Sequence, residues 1–212
     1  MTLFPLYAVV DQETATRHGW TVPDLAQAYL AGGARLLQVR LTQGGSAQFL
    51  EWCDEIVTVA RSYGAHVVVN NRWDIAMLSG ASGVHVGQQD LGVGTVRRMI
   101  SVGAFVGLST HSITQVLQSM GKGASYVAVG PTYGTKTKDT GYATTGLRLV
   151  REASHMQPKQ PVVAIGGITL ARVPDVLQAG ATSVAVISDL LVGGDPKQRV
   201  RDYISVLGAL LQ

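Results

Sequence analysis

Eight short runs rich in β-branched and apolar residues recur along this chain, each followed by a longer stretch with helical periodicity. A run that is apolar on both faces suits a parallel strand covered on both sides. Parallel neighbours in turn need a crossover between them, usually a helix. The spacing predicts strands over Phe4 to Val10, Arg35 to Leu41, His66 to Asn70, Gly83 to Gly87, Phe105 to Ser109, Tyr126 to Gly130, Pro161 to Ile165 and Ser183 to Ile187. Between them it predicts helices over Val22 to Ala31, Ser46 to Tyr63, Trp73 to Ser79, Val93 to Ser101, Ile113 to Met120, a stretch ending near Met156, and Leu170 to Ala179; Arg199 to Leu211 closes the chain. One uninterrupted series of this kind predicts an α/β fold, a single (β/α)8 TIM barrel spanning residues 1–212 as one domain. A doubly wound open sheet is the alternative, but no glycine-rich dinucleotide fingerprint opens the chain.

Composition narrows the function. At 212 residues and 46% hydrophobic the chain can bury one sizeable core. Its net charge of +3 is spread without a run of like charge, which favours an anionic small-molecule substrate over nucleic acid. The single cysteine, Cys53, falls in a predicted amphipathic helix and reads as a small core residue, with no disulfide or cysteine metal cluster to be formed. No apolar run reaches membrane-spanning length and no signal-like segment opens the chain, so the expected setting is the cytoplasm with no membrane partner. Trp20 and Trp73, read as exposed aromatics, would permit a homo-oligomer.

In such a barrel the chemistry sits at the carboxyl ends of the strands. The central stretch Val67 to Leu91 brings two polar clusters there: Asn70 and Asn71 after one strand, Gln88 and Asp90 after the next. In the second predicted strand Gln38, Arg40 and Thr42 alternate with Val39 and Leu41, which aims the three polar groups at one face. Arg40 offers a fork of donors suited to phosphate oxygens; the alternative is an arginine pairing with a carboxylate for support. Asp90 suits a hard divalent ion, with Asn71 as a weaker oxygen donor, or else it caps the helix beginning near Val93. Ser109 reads as a hydrogen-bond donor to substrate and not as the partner of His111, because no nucleophile-elbow motif surrounds them. His66 and His85 read as satisfied core residues, and His18 and His155 as surface ones. The loop Gly130 to Lys138 concentrates hydroxyls and ammonium groups, while Gly166-Gly167 and Ile187-Ser188 follow the last two strands, where many such barrels hold phosphate. Two anion-binding signals on one rim suggest two phosphorylated ligands.

Several segments, QVR at Gln38 to Arg40, VNNRWDIA at Val69 to Ala76, GVHVGQQDL at Gly83 to Leu91, GLSTHS at Gly107 to Ser112, GPTYGTKTK at Gly130 to Lys138, AIGGI at Ala164 to Ile168 and VAVIS at Val184 to Ser188, resemble the thiamine phosphate synthase family in their joint order. The resemblance covers essentially the whole chain. It implies a magnesium-dependent barrel enzyme joining hydroxymethylpyrimidine diphosphate to a thiazole phosphate, with release of diphosphate. By the same resemblance Gln38, Val39, Arg40, Leu41, Thr42, Asn70, Ser109 and Lys138 would hold the pyrimidine diphosphate, with Arg40, Ser109 and Lys138 as the catalytic set. Thr135, Lys136, Thr137, Gly167, Ile187 and Ser188 would hold the thiazole phosphate, and Asp90 with Asn71 the Mg2+.

Two positions depart from the family pattern. Thr42 stands where a lysine usually follows the arginine, and Asn71 where a second magnesium carboxylate usually follows the asparagine. The loss of one cation and one anion keeps the site near neutrality while weakening its hold on metal and diphosphate. Two other readings follow: the thiazole tautomerase branch, which can carry a histidine where Pro131 stands and which the TKTK loop disfavours, and a catalytically silent phosphate-ligand-binding protein.

Overall fold

β-branched runs buried on both sides become strands, and the stretches between them become helices that cover the outside. The computed structural model describes residues 3–135, 141–156 and 158–211. Its strands are β1 (Leu6–Asp11), β2 (Leu36–Arg40), β3 (His66–Asn70), β4 (Gly83–Val86), β5 (Phe105–Thr110), β6 (Tyr126–Val129), β7 (Val162–Ile165) and β8 (Ser183–Val186). The helices are α1 (Gln12–Arg17), α2 (Val22–Gly32), α3 (Ser46–Ser62), α4 (Trp73–Leu78), α5 (Val93–Met99), α6 (Ile113–Ser119), α7 (Gly146–Met156), α8 (Val173–Gln178) and α9 (Pro196–Leu210). Each strand pairs in parallel with the next, and β8 returns to β1 with Leu6 beside Val184 and Ala8 beside Val186. The result is a closed (β/α)8 barrel, as the sequence predicts.

Alternation along the strands divides the buried side chains into two layers. Outward residues such as Val10, Val39, Val69, Val84 and Val186 pack against the helices in one large cluster. Inward residues, among them Tyr7, Val9, Leu36, Val68, Phe105, Tyr126 and Val163, fill the barrel itself. Cys53 is fully buried in α3, and burial first, then the neighbouring Asp54 carboxylate, pushes its thiol up to about 12.

Three expectations need correction. Trp20 and Trp73 are half-buried and pack against the outer core, so they are not exposed aromatics. The six-residue α1 directly after β1 carries no apolar periodicity to announce it; Asp11 creates it by capping, accepting from the Thr14 N–H at 3.0 Å. The last helix begins at Pro196, three residues before the predicted start, with Asp195 as its cap and Pro196 in its first turn. Among the described residues no helix is long and apolar enough to cross a membrane.

The final helix seals the first strand-helix unit through one close approach. A Cβ on Gly32, at the end of α2, would lie 2.6 Å from the Lys197 carbonyl and 2.8 Å from Val200 Cβ. Gly32→Ala is therefore expected to lose about 1–3 kcal/mol by overpacking. Gly94→Ala, in α5 with nothing within 4 Å, should gain about 0.5–1 kcal/mol from a better helix former. Urea unfolding curves test both, and an unshifted or higher midpoint for Gly32→Ala contradicts the close packing of α2 on α9.

Candidate active site

All eight strands run parallel, so their carboxyl ends gather on one rim and the inward side chains near those ends face the mouth. A cavity of about 390 Å³ opens there. Of the predicted site residues, Asn71, Asp90, Ser109, Thr135, Gly167, Ile187 and Ser188 line it. Gln38, Val39, Arg40, Leu41, Thr42 and Asn70 are not among its lining residues; they stand at the ends of β2 and β3 on the same rim. Lys136, Thr137 and Lys138 lie outside the described residues.

Strand β2 shows how period-two alternation sorts its residues. Val39 is fully buried in the outer core and Leu41 packs against that layer. Gln38 turns inward, donating through Nε2 to the Tyr7 hydroxyl at 3.0 Å. Arg40 pairs through Nη1 with Asp11, its register neighbour on β1. A carboxylate only 1% exposed requires such pairing. Asp11 also accepts the Thr14 hydroxyl at 2.7 Å through its other oxygen, so the same group caps α1 and orients the guanidinium. Support by a carboxylate and binding of a ligand are compatible, because an arginine carries five N–H donors. Thr42 lies beyond the strand end, exposed, with its N–H and hydroxyl both 3.2 Å from Gln12 Oε1.

The turns after β3 and β4 form the next part of the rim. Asn71 adopts φ 62°, a left-handed conformation that asparagine tolerates, and its N–H donates to the His85 carbonyl at 2.8 Å. Asp90 accepts the Gly87 N–H through Oδ2 at 2.7 Å and so closes a tight turn. It does not cap the following helix, whose cap position is Gly92. Nearby, the hydrogen bonds from Arg72 hold the Asp74 carboxyl below its usual value.

Ser109 and His111 face apart. The His111 ring lies stacked on Tyr142 at 3.8 Å with Nδ1 2.6 Å from the Gly130 carbonyl. Ser109 instead meets His85, whose Nε2 lies 2.8 Å from its hydroxyl. His85 is 7% exposed and hydrogen-bonded at both ring nitrogens, the satisfied core residue the sequence suggests, yet it reaches the site.

The other side of the cavity is backbone. The Thr132 and Tyr133 N–H groups donate to the Ile165 and Gly166 carbonyls at 2.8 and 2.9 Å, prolonging the β6–β7 pairing into the loops. A Cβ on Gly166 or Gly167 would lie 2.6 Å from Pro131 Cα or 2.5 Å from the Gly134 carbonyl, so these glycines let the two loops close on each other. Arg172 secures the arrangement, lying 4.3 Å over the Tyr133 ring and donating to the Gly167 carbonyl at 2.6 Å. Beyond β8 a 3-10 turn, Ser188–Leu191, presents Ser188 to the cavity. Asp189 anchors that turn by accepting from Leu170 N–H, Arg199 and Tyr203 at 3.1, 2.7 and 2.7 Å.

Sequence reasoning missed Asp11, Tyr7, Tyr126 and Asp189 as supports of the site. One signal was present for the tyrosines, since a buried phenol on an inward strand position needs a hydrogen-bond partner. Among the described residues there is no group of three or more His, Cys, Asp or Glu placed to hold a metal. Asp90 and Asn71, the two residues assigned to Mg2+ by resemblance, both line the cavity.

A family model described as Thiamine monophosphate synthase matches residues 6–190. Thiamine-phosphate synthase of Methanoculleus marisnigri is 41% identical over 209 residues, 97% of this chain and 98% of that protein. The Chloroflexus aurantiacus protein of the same name is 36% identical over 95% of this chain and 93% of its own. Among solved structures, thiamine phosphate pyrophosphorylase from Pyrococcus furiosus superposes with a TM-score of 0.88 at 25% identity, covering 98% of this chain and 97% of that one. A 3-hexulose-6-phosphate synthase, 18% identical, shares the barrel alone, with a TM-score of 0.67 over 96% of this chain and 99% of its own. With the family match running from β1 through the turn after β8, and relatives alike over nearly their full lengths, this chain belongs to the thiamine monophosphate synthase family of transferases.

Proposed function

We propose that this enzyme transfers the pyrimidinylmethyl group of hydroxymethylpyrimidine diphosphate to the ring nitrogen of a thiazole phosphate, forming thiamine phosphate and diphosphate. The observation that carries the reading is one cavity of about 390 Å³ with Asp90 and Ser109 on one wall and Gly167 and Ser188 on another. That volume is within the range of small-molecule sites. It supports two phosphorylated ligands held side by side, with Gln38, Arg40, Asn70 and Ser109 on the pyrimidine diphosphate, Thr135, Gly167, Ile187 and Ser188 on the thiazole phosphate, and Lys138 completing the cationic set.

In this reading the bond between the pyrimidine methylene and the diphosphate oxygen breaks first, and its electron pair leaves with the diphosphate. The thiazole nitrogen then supplies the pair that closes the new C–N bond. No side chain acts as nucleophile. Arg40, held in place by Asp11, meets the charge that grows on the departing oxygens, while the loop glycines fix the thiazole ester in line. Asp90 and Asn71 offer one carboxylate and one amide oxygen, a set that fits magnesium completing its shell with diphosphate oxygens and water. Held by Asp90 and Asn71, the ion would supply charge neutralisation to the leaving group.

A coupling assay with both substrates is expected to yield thiamine phosphate. Isomerisation of a thiazole carboxylate phosphate alone would favour the tautomerase branch, and binding without turnover a silent homologue. Arg40→Lys keeps the charge but loses the fork, and a fall in kcat of about 10²-fold is expected; an unchanged kcat contradicts the assigned role. Asn71→Asp restores a second carboxylate at a backbone position that Asp also tolerates. Its magnesium requirement should move to lower concentration in the same assay, and no gain in apparent metal affinity contradicts the assignment of Asn71 to the ion.

A further inference from the structure

A chain of hydrogen bonds crosses the inside of the barrel beneath the mouth, through residues of five strands. Gln38 Nε2 donates to the Tyr7 hydroxyl at 3.0 Å; the Tyr7 and Tyr126 hydroxyls are 2.8 Å apart. The Tyr126 hydroxyl lies 3.1 Å from His85 Nδ1, and His85 Nε2 2.8 Å from the Ser109 hydroxyl. Tyr7 stands edge-on to Tyr126, and His85 is stacked on the same ring. Tyr7, Tyr126, Gln38 and His85 are 1%, 0%, 6% and 7% exposed, so water does not substitute for these partners. Gly107 makes the crossing feasible: a Cβ there would lie 2.3 Å from the Tyr126 hydroxyl and 2.5 Å from His85 Nδ1.

Counting protons along the chain gives it a direction. Tyr7 accepts from Gln38, so its own hydrogen goes to Tyr126, its other partner among the described residues. The alternative leaves a buried hydroxyl hydrogen without an acceptor, which costs about 1–3 kcal/mol. The hydrogen of Tyr126 is then directed to His85 Nδ1, and burial holds both phenols well above their usual titration range, so they stay donors. A neutral imidazole that accepts at Nδ1 carries its proton at Nε2. That N–H points at the Ser109 oxygen, and the Ser109 hydrogen is turned away from His85. A serine 2.8 Å from a histidine resembles an activated nucleophile, but a protonated Nε2 cannot take the serine proton.

We propose that Tyr7, Tyr126 and His85 are positioning residues: their relay holds His85 as the Nε2–H tautomer and makes the Ser109 hydroxyl a hydrogen-bond donor to an acceptor atom of the substrate in the cavity. The substrate contact rests on the function proposed above; the tautomer does not, and can be read without substrate. Turning the Gln38 amide end for end would reverse every bond in the relay, place the proton on Nδ1 and make Ser109 donate to His85 instead.

Nitrogen-15 NMR of the full-length chain labelled at histidine distinguishes these states, with the His85 signals identified by their loss in His85→Gln. The result expected is a protonated Nε2 and an unprotonated Nδ1; a proton on Nδ1 overturns the inference. In the coupling reaction Tyr126→Phe, which keeps the ring and removes the donor, should lower kcat/KM about tenfold, the worth of one neutral hydrogen bond. In a Ser109→Ala background the same change should cost nothing further, because the relay acts through that hydroxyl. His85→Gln, with an amide N–H near the place of Nε2, should retain most of the activity that His85→Leu loses. Equal losses in the two His85 variants, or a full additional loss from Tyr126→Phe in the Ser109→Ala background, would show a structural role only and refute the proposal. Absence of coupling by the unmodified enzyme would refute the assigned reaction, while the tautomer would still decide the relay.

Discussion

The pairing of β1 with both β2 and β8 is the constraint on which the rest of the molecule depends. A sheet closed in this way has no exposed edge, and its parallel strands all end on one rim. Residues far apart in the chain, such as Arg40 on β2, Ser109 on β5 and Ser188 after β8, are thereby brought to the same mouth without a second structural device. Closure also creates an enclosed interior. Its inward positions hold Val9, Leu36, Val68 and Val163 together with the polar line from Gln38 to Ser109. A buried polar line is costly unless every member is satisfied. Here each member has a hydrogen-bond partner on a neighbouring strand or across the barrel, which converts a potential weakness into a support for the site.

The two sides of the mouth are built by different means. On the β1–β2 side a carboxylate and a guanidinium pair in register, and Asp11 serves α1 as well as Arg40. On the β6–β8 side glycines remove the side chains that would separate the loops, and Arg172 and Asp189 fasten the resulting backbone surface from behind. A charged fork suits a diphosphate that gains charge as it leaves, and a close-fitting backbone wall suits a phosphate that only has to be held. The division matches the asymmetry of the proposed reaction, in which one ligand breaks a bond and the other supplies an electron pair.

The barrel was legible in the sequence because strands buried on both faces leave unbroken runs such as Val67-Val68-Val69, and because helix stops such as Gly32-Gly33 separate them. The rim residues were legible through period-two alternation: Gln38 and Arg40 do turn inward while Val39 and Leu41 pack outward. Partnerships across the barrel were not legible. Tyr7 and Tyr126 are 119 positions apart, His85 and Ser109 are 24 apart, and no local pattern records which inward positions of different strands share a level. The helix α1 escaped notice because a cap and not an apolar stripe defines it, and Trp20 and Trp73 misled because an aromatic near a loop can still cover the outer core.

The central claim is that two anionic ligands lie side by side at this one rim, close enough for a carbon to pass between them. A crystal structure with a pyrimidine diphosphate analogue and a thiazole phosphate bound together tests it most directly. The account predicts the diphosphate against Arg40 and Asp90, the thiazole ester against Gly167 and Ser188, and the thiazole nitrogen facing the pyrimidine methylene. A ligand lodged elsewhere, for instance in the separate cleft between Met120 and Pro161, or a diphosphate that leaves Arg40 untouched, would contradict it.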